Sequence, residues 1–362
     1  MEITRLWLDD FRSYHRLELE LATGLTAVCG PNGVGKTNLL EALGLLATLR
    51  SFRGSPTESL VRRGAERAVV RAEGLRDERE VLIELELGRG RTRAQVNRQR
   101  LRRSRDLLGA VRVTCFTPDD LVLVKEGPSH RRELLDDILV ALDPAVHGLI
   151  GDVDRILRQR NALLRQAHGR LDESSELTLD VWDAKLSAAG QELTQRREEL
   201  VGSVLPLVEE WYRLLAGRET VVGAGYERSW TGESLAEAVA ANRAEDVRRG
   251  VTGVGPHRDE LALRLDGLAA RNEASQGEQR TLALALRMAG HKLVTERVGE
   301  PPLLLLDDVL SELDDDRARG LLANLPAGQT VITSATGLPE AARADHVVSI
   351  DHSGVAPVPQ SG

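Results

Sequence analysis

Gly30-Pro31-Asn32-Gly33-Val34-Gly35-Lys36-Thr37 is the stretch on which the reading of this 362-residue chain turns. Four free positions between a glycine and Gly-Lys-Thr make the pattern of a phosphate-binding loop. Its flanks agree. Leu25-Thr26-Ala27-Val28-Cys29 is short, mostly apolar and partly β-branched, as a buried strand is. Beyond Thr37, Asn38-Leu39-Leu40-Glu41-Ala42-Leu43-Gly44-Leu45-Leu46 is apolar at helical spacing. The order strand, loop, helix lets backbone N–H groups wrap phosphates at a helix N-terminus, where the field favours negative charge. The contact set runs from Gly30 through Asn38, with Lys36 reaching the outer phosphates of ATP and the Thr37 hydroxyl ligating Mg²⁺. Lys36 is expected on an exposed loop, outside the core.

Ser275-Gln276-Gly277-Glu278-Gln279 lies far along the chain, followed after one helix length by Leu303-Leu304-Leu305-Leu306-Asp307-Asp308. Pro301-Pro302 opens the apolar run, which reads as a buried parallel strand with ligands gathering at its carboxyl end. Asp-Asp at that point fits a solvated strand end when taken alone. Beside a phosphate loop it reads as chemistry: Asp307 holds Mg²⁺ directly or through water, and Asp308 orients the attacking water. The hydroxyl of Ser275 and the N–H groups after it can grip a γ-phosphate at a helix start. Together the motifs read as an ATP site whose halves belong to two subunits.

Taken in order, these stretches resemble the Walker A, signature, Walker B and D-loop motifs of ABC-type ATPase heads, the last being Val309-Leu310-Ser311-Glu312-Leu313-Asp314. Within that group the chain resembles the RecF family of bacterial recombination mediators nearly end to end. The blocks that carry this are Leu8-Asp9-Asp10-Phe11-Arg12-Ser13-Tyr14, Ser51-Phe52-Arg53, Thr117-Pro118-Asp119-Asp120-Leu121, Arg131-Arg132-Glu133-Leu134-Leu135-Asp136 and Gly255-Pro256-His257-Arg258-Asp259. The resemblance implies an α/β fold: an ABC-type head, with a mixed sheet, a phosphate-loop helix and an antiparallel β subdomain, carrying an inserted helical arm. It implies an ATP-dependent homodimer that binds duplex DNA near single-strand gaps, hydrolyses ATP slowly and promotes RecA loading with RecR and RecO. Asp308, Lys36 and Asp307 then form the catalytic set, and Thr37 and Asp307 hold the metal. Ser275, Gln276, Gly277 and Glu278 complete the nucleotide site, and Arg12 stands near nucleotide or in a surface salt bridge. Position 308 is Asp where most ABC ATPases have Glu, and Ile332-Thr333-Ser334-Ala335-Thr336 lacks the histidine often found there. Both departures leave the water less well positioned and predict slow turnover. His346 is read as structural.

Composition fits a cytoplasmic protein. No basic leader precedes an apolar core, and no apolar run approaches the roughly 18 residues of a membrane span. Cys29 and Cys115 lie in strand-like stretches as small core residues. A net charge of −8 argues against indiscriminate nucleic-acid binding, but charge is uneven. Arg89, Arg91, Arg93, Arg98, Arg100, Arg102, Arg103 and Arg105 crowd one stretch. Such a run grips phosphate, or is merely the solvated face of a protein with only four lysines. Val81–Leu87 and Thr92–Val96 around Gly88-Arg89-Gly90 predict an antiparallel hairpin presenting arginines on one side. The DNA-contact candidates are Arg98, Arg100, Arg102, Arg103, Arg105 and Arg258. Gly255–Asp259 reads either as a phosphate-facing loop or as a self-satisfied polar turn.

Apolar residues from Ser129 to Gly217 fall at helical spacing, with a polar break at Gly169–Ser175. They predict two long helices folded back as an arm over 126–249, set into a head formed by 1–125 and 250–362. A helix of about 35 residues spans roughly 50 Å. Chromosome-organising SMC relatives carry far longer coiled coils, so this chain is expected to clamp DNA locally. A nucleotide-gated scaffold and the ATP subunit of a transporter are the alternative readings. The tail Val355–Gly362, with its Pro, Ser and Gly, is expected to be disordered.

Overall fold

In the computed structural model the chain divides into two compact units: Met1–Leu121 with Glu210–Glu219 and Gln276–Gly362, and Val122–Glu209 with Thr220–Ser275. The structure describes residues 1–88, 90–339 and 342–351 and the backbone of 354–357. Arg89 and residues 358–362 of the tail lie outside the described residues.

In the first unit, β1 (Glu2–Phe11), β2 (Tyr14–Glu20), β4 (Arg67–Arg76), β5 (Arg79–Gly88), β6 (Arg91–Val96) and β7 (Gln99–Arg100) form a six-stranded antiparallel sheet in the order β2-β1-β4-β5-β6-β7. A second six-stranded sheet has the order β15-β14-β3-β13-β12-β8. It is built from β3 (Leu25–Cys29), β8 (Val113–Phe116), β12 (Leu303–Leu306), β13 (Thr330–Ser334), β14 (His346–Asp351) and β15 (Gly354–Pro357). All its pairings are parallel except β14 with β15. The tail expected to be disordered thus begins as an edge strand, because Gly354–Pro357 pairs back onto β14. Leu303–Leu306 is buried at every position, as a strand covered on both faces must be.

The phosphate-loop helix α1 (Lys36–Thr48) lies between the sheets. Leu39, Leu40, Leu43 and Leu46 share one core with Leu6, Leu8, Ile83 and Leu85 of the first sheet and Val28, Leu305 and Val331 of the second. A helix enclosed this way is apolar around its circumference. On the outer face of the antiparallel sheet, the expected hairpin does not present arginines alone. Arg71 bonds Glu84 at 2.9 Å, and Arg67 and Arg93 meet Glu86 at 3.3 and 3.2 Å. Period-2 alternation puts Glu84 and Glu86 on that face, and register sets Arg71 opposite Glu84, Arg93 opposite Glu86 and Arg67 on the diagonal to Glu86.

The second unit contains α2 (Pro128–Leu142), α3 (Val146–Gln166), most of α4 (Glu173–Ala216) and α5 (Leu235–Arg249). A three-stranded sheet, β11-β10-β9, joins them: β9 (Val222–Glu227), β10 (Glu260–Leu265) and β11 (Leu268–Ala269). The polar break falls only in part between α3 and α4, since α4 starts within it at Glu173 and is 44 residues, about 66 Å at 1.5 Å per residue. It continues through Pro206. The unit boundaries, Leu121/Val122 and Ser275/Gln276, differ from 125/126 and 249/250 because Gly255–Asp259 and β9–β11 are bonded to these helices. The last helices, α6 (Gln276–Val298) and α7 (Asp315–Ala323), belong to the first unit.

Candidate nucleotide site

Adjacent strands β3, β13 and β12 each deliver part of the site from their carboxyl ends. From β3 the loop passes into α1 through Gly35, at φ 113. A Cβ there would lie 2.8 Å from the Tyr14 hydroxyl and 2.9 Å from Ser13 Oγ, so the loop admits only glycine at this point. Pro31, Asn32 and Gly33 are exposed while Val34 and Lys36 are buried. Lys36 is therefore not the exposed side chain expected: it is 6% exposed, with Nζ donating to the carbonyls of Gly30 at 2.8 Å and Pro31 at 3.0 Å. The ammonium bridges the loop it would use to hold phosphate.

Asp307, at the end of β12, meets this loop. Thr37 Oγ1 donates to Asp307 Oδ1 at 3.1 Å, and Thr333 Oγ1 donates to the same oxygen at 2.7 Å. Thr333 also accepts the Asp308 N–H at 2.9 Å, and the Asp307 N–H bonds the Phe116 carbonyl at 2.9 Å. Burial pushes the Asp307 carboxyl above the ordinary range. The bonds from Thr333 and Thr37 oppose burial, the Asp308 charge adds to it and Arg53 opposes it. Asp308 turns the chain at φ 46, in the left-handed region, and caps Val309–Ser311. A buried carboxylate met by hydroxyls is a hard-oxygen donor set, and it fits Mg²⁺, which takes few protein ligands and completes its shell from phosphates and water. Among the described residues no cluster of three His, Cys, Asp or Glu side chains offers a different kind of metal site.

Three neighbours escaped the sequence reading. Thr333 lies in the stretch 332–336, whose one mark in the sequence is its lack of a histidine. Arg53, in a quoted block, donates to Asn38 Oδ1 at 3.4 Å, and Asn38 donates to Ser13 Oγ at 3.0 Å. Glu41, 0% exposed on α1, receives both Arg12 Nε and Nη2 at 2.7 Å. Arg12 also bonds Ser55 Oγ at 2.6 Å and the Ser59 carbonyl at 3.1 Å. The ion-pair alternative for Arg12 is therefore what its geometry displays, with an internal partner. His346 opens β14.

Ser275 and Gln276 are exposed at the start of α6, which begins at Gln276. Glu278 pairs with Arg218, and Gly277 faces Arg317, whose guanidinium would be 3.4 Å from a Cβ at that position. Arg280 pairs with Glu312 at 2.5 Å, tying α6 to the turn after Asp308. Of the DNA candidates, Arg98, Arg100, Arg102, Arg103 and Arg105 are exposed and form no ion pair among the described residues. Asn97 and Arg98, at φ 50 and 66, make the tight turn between β6 and β7. Arg258 is exposed in the second unit. Cys29 and Cys115 are half-buried. No helix among the described residues is long and apolar enough to cross a membrane.

The fold and this site define an α/β head of the ABC ATPase type. Residues 2–353 match the RecF/RecN/SMC N terminal domain family. The chain is 45% identical to the DNA replication and repair protein RecF of Streptomyces avermitilis, covering 92% of this chain and 93% of the relative. It is 46% identical to that of Frankia alni, over 92% and 93%. Among solved structures, the recombination mediator protein RecF with ATP in the RecFOR pathway superposes with a TM-score of 0.89 at 29% identity, over 99% and 97%. An Smc head bound to the C-winged helix domain of ScpA matches in fold, with a TM-score of 0.58, 19% identity and coverage of 99% and 97%. The chain belongs to the RecF family.

Proposed function

We propose that this protein is an ATP-gated DNA-binding protein: two copies close around ATP and Mg²⁺, the dimer holds duplex DNA next to single-strand gaps, and with RecR and RecO it promotes RecA loading. The observation that carries this reading is the convergence of the Thr37 and Thr333 hydroxyls on one carboxylate oxygen of Asp307 beside the Lys36 loop. The loop N–H groups and Lys36 hold the phosphates, and Thr37 and Asp307 hold the metal. Bound there, Mg²⁺ neutralises charge on the outer phosphates. Asp308, placed by its left-handed turn and the N–H bond to Thr333, orients water. Turnover is slow because a short carboxylate without a histidine across from it leaves the water loosely held. Ser275–Glu278 on the second copy completes each site. Location in the cytoplasm and a weak, DNA-stimulated ATPase follow from the same reading.

A titration against duplex, single-stranded and gapped DNA, each with ATP, ADP and no nucleotide, tests the proposal alongside steady-state hydrolysis. ATP-dependent duplex binding with DNA-stimulated turnover supports it. ATP-dependent binding without turnover leaves the gated scaffold, and turnover indifferent to DNA with no ATP-dependent DNA binding refutes the DNA-binding reading.

A further inference from the structure

In the second unit, the arginines around Gly255–Asp259 divide into two groups. Arg131 forms a two-bond pair with Glu260 at 2.7 and 2.7 Å, and Arg197 one with Asp136 at 2.8 and 2.7 Å. Both are buried parts of the frame. Arg132 and Arg258 are different. Arg132 donates to the Asp259 carbonyl at 2.7 Å, and Arg258 reaches only the Thr252 carbonyl, at 3.4 Å. Neither forms an ion pair among the described residues. The carboxylates whose charge reaches Arg132 are committed elsewhere: Glu260 is paired with Arg131, and the Asp259 carboxylate, 0% exposed, accepts from Thr194 at 3.1 Å, Tyr226 at 2.8 Å and the Ser229 N–H at 2.8 Å.

The loop that carries Arg258 is held still, and Arg132 projects toward it from α2. Arg197 donates to the Pro256 carbonyl at 2.8 Å, Ser229 bridges Gly255 on both sides, and His257 Nε2 meets the Thr252 carbonyl at 3.1 Å. His257 lies within the field of both arginines, and burial with those two charges holds its pKa down, to about 4. Arg132 is half-buried, and burial followed by the charge of Arg197 lowers its own pKa. A partly desolvated cation beside a second cation, without a carboxylate to itself, is stabilised by an anion from outside.

The geometry points to Arg132 and Arg258 as a preformed seat for a backbone phosphate of duplex DNA, carried by the second unit. This rests on the DNA-binding reading above and adds to it a defined contact outside the Arg98–Arg105 run. Phosphate and not base edge is the expected contact, because Arg258 stands on a rigid turn and Arg132 on α2 is held by the Asp259 carbonyl, and cations without a carboxylate of their own suit phosphate oxygens.

The test uses the full-length protein with ATP and Mg²⁺ and a fluorescent duplex of mixed sequence, titrated between about 50 and 200 mM salt. Arg258→Gln, whose side chain makes only the 3.4 Å contacts, is the first variant; Arg132→Gln and Arg258→Lys accompany it. Arg258→Gln is expected to weaken binding about 3- to 10-fold, to reduce the slope of log affinity on log salt by about 1, and to act alike on unrelated sequences. Arg258→Lys retains most of the slope. Wild-type affinity and slope in Arg258→Gln and Arg132→Gln, with wild-type binding intact, overturn this site alone. Failure of the wild type to bind duplex overturns the DNA reading and this site with it.

Discussion

Thr37 Oγ1 and Asp307 Oδ1 stand 3.1 Å apart although 270 residues separate them in the chain. Thr333, on β13 between β3 and β12, donates to the same oxygen. The nucleotide site is thus closed by the order of strands in the sheet, and each prediction about it depends on that closure.

Lys36→Ala removes the ammonium that would hold the outer phosphates and leaves the Gly30 and Pro31 carbonyls without their donor. ATP-dependent dimerisation is expected to disappear. Because Lys36 is buried, the variant is also expected to melt somewhat below wild type, with a cost of about 1–3 kcal/mol for the lost partner. Analytical ultracentrifugation with and without ATP, beside thermal melts, checks both. Ordinary ATP-dependent dimers in this variant exclude the loop as the phosphate site.

Asp308→Asn keeps the size and tolerates the left-handed backbone at φ 46, so the change is confined to charge. Hydrolysis should fall roughly 10²-fold while ATP binding and dimerisation persist, giving longer residence on DNA. Single-turnover hydrolysis and nucleotide affinity separate the two effects. Unchanged turnover points to another base.

Exchanging Arg102 and Arg103 for Glu should weaken duplex, single-stranded and gapped DNA alike and flatten the salt dependence of binding. Both side chains are exposed, so the melting temperature should stay close to wild type. Unaltered affinity would make the run a solvated face.

His291, 1% exposed on α6 and bonded to Thr114 at 3.2 Å, is pushed down by burial to about 4 from 6.5. Between those values the unfolded chain takes up a proton that the folded one refuses. This contribution to stability is therefore complete above about pH 6.5 and is lost as pH falls toward 4, amounting to on the order of 3 kcal/mol. His257 acts in the same direction. Denaturant melts of wild type and His291→Gln from pH 7.5 to 4.5 should show a shallower acid loss in the variant; parallel curves exclude His291 as a source.

The strand, loop and helix around Lys36 were legible because glycines and an apolar period leave marks in one contiguous stretch. Asp307 was legible for the same reason, standing at the end of an unbroken leucine run. Thr333 was not, since a hydroxyl acquires its role only when β13 is set between β3 and β12. Neither was the mixed charge of the outer sheet face, because Arg71 and Glu84 meet through the register of separate strands. The burial of Lys36 follows from its bonds to loop carbonyls, which the motif alone does not reveal. The 44-residue length of α4 exceeds the reading because its first turns, which begin inside the polar break at Glu173, carry few buried side chains.

The central claim is a nucleotide site completed by two copies, with Lys36 from one and Ser275 from the other. Mixing Lys36→Ala with Ser275→Arg tests it most directly. Each variant alone lacks half of every site, but a mixed dimer holds one intact site, formed by the phosphate loop of the Ser275→Arg copy and the signature of the Lys36→Ala copy. With random pairing, roughly a quarter of wild-type sites are restored by symmetry counting. The measurement is ATP-dependent cross-linking between differently tagged copies. The account predicts cross-linked mixed dimers that neither variant gives alone; no mixed dimer above the separate variants contradicts it and assigns the whole site to a single chain.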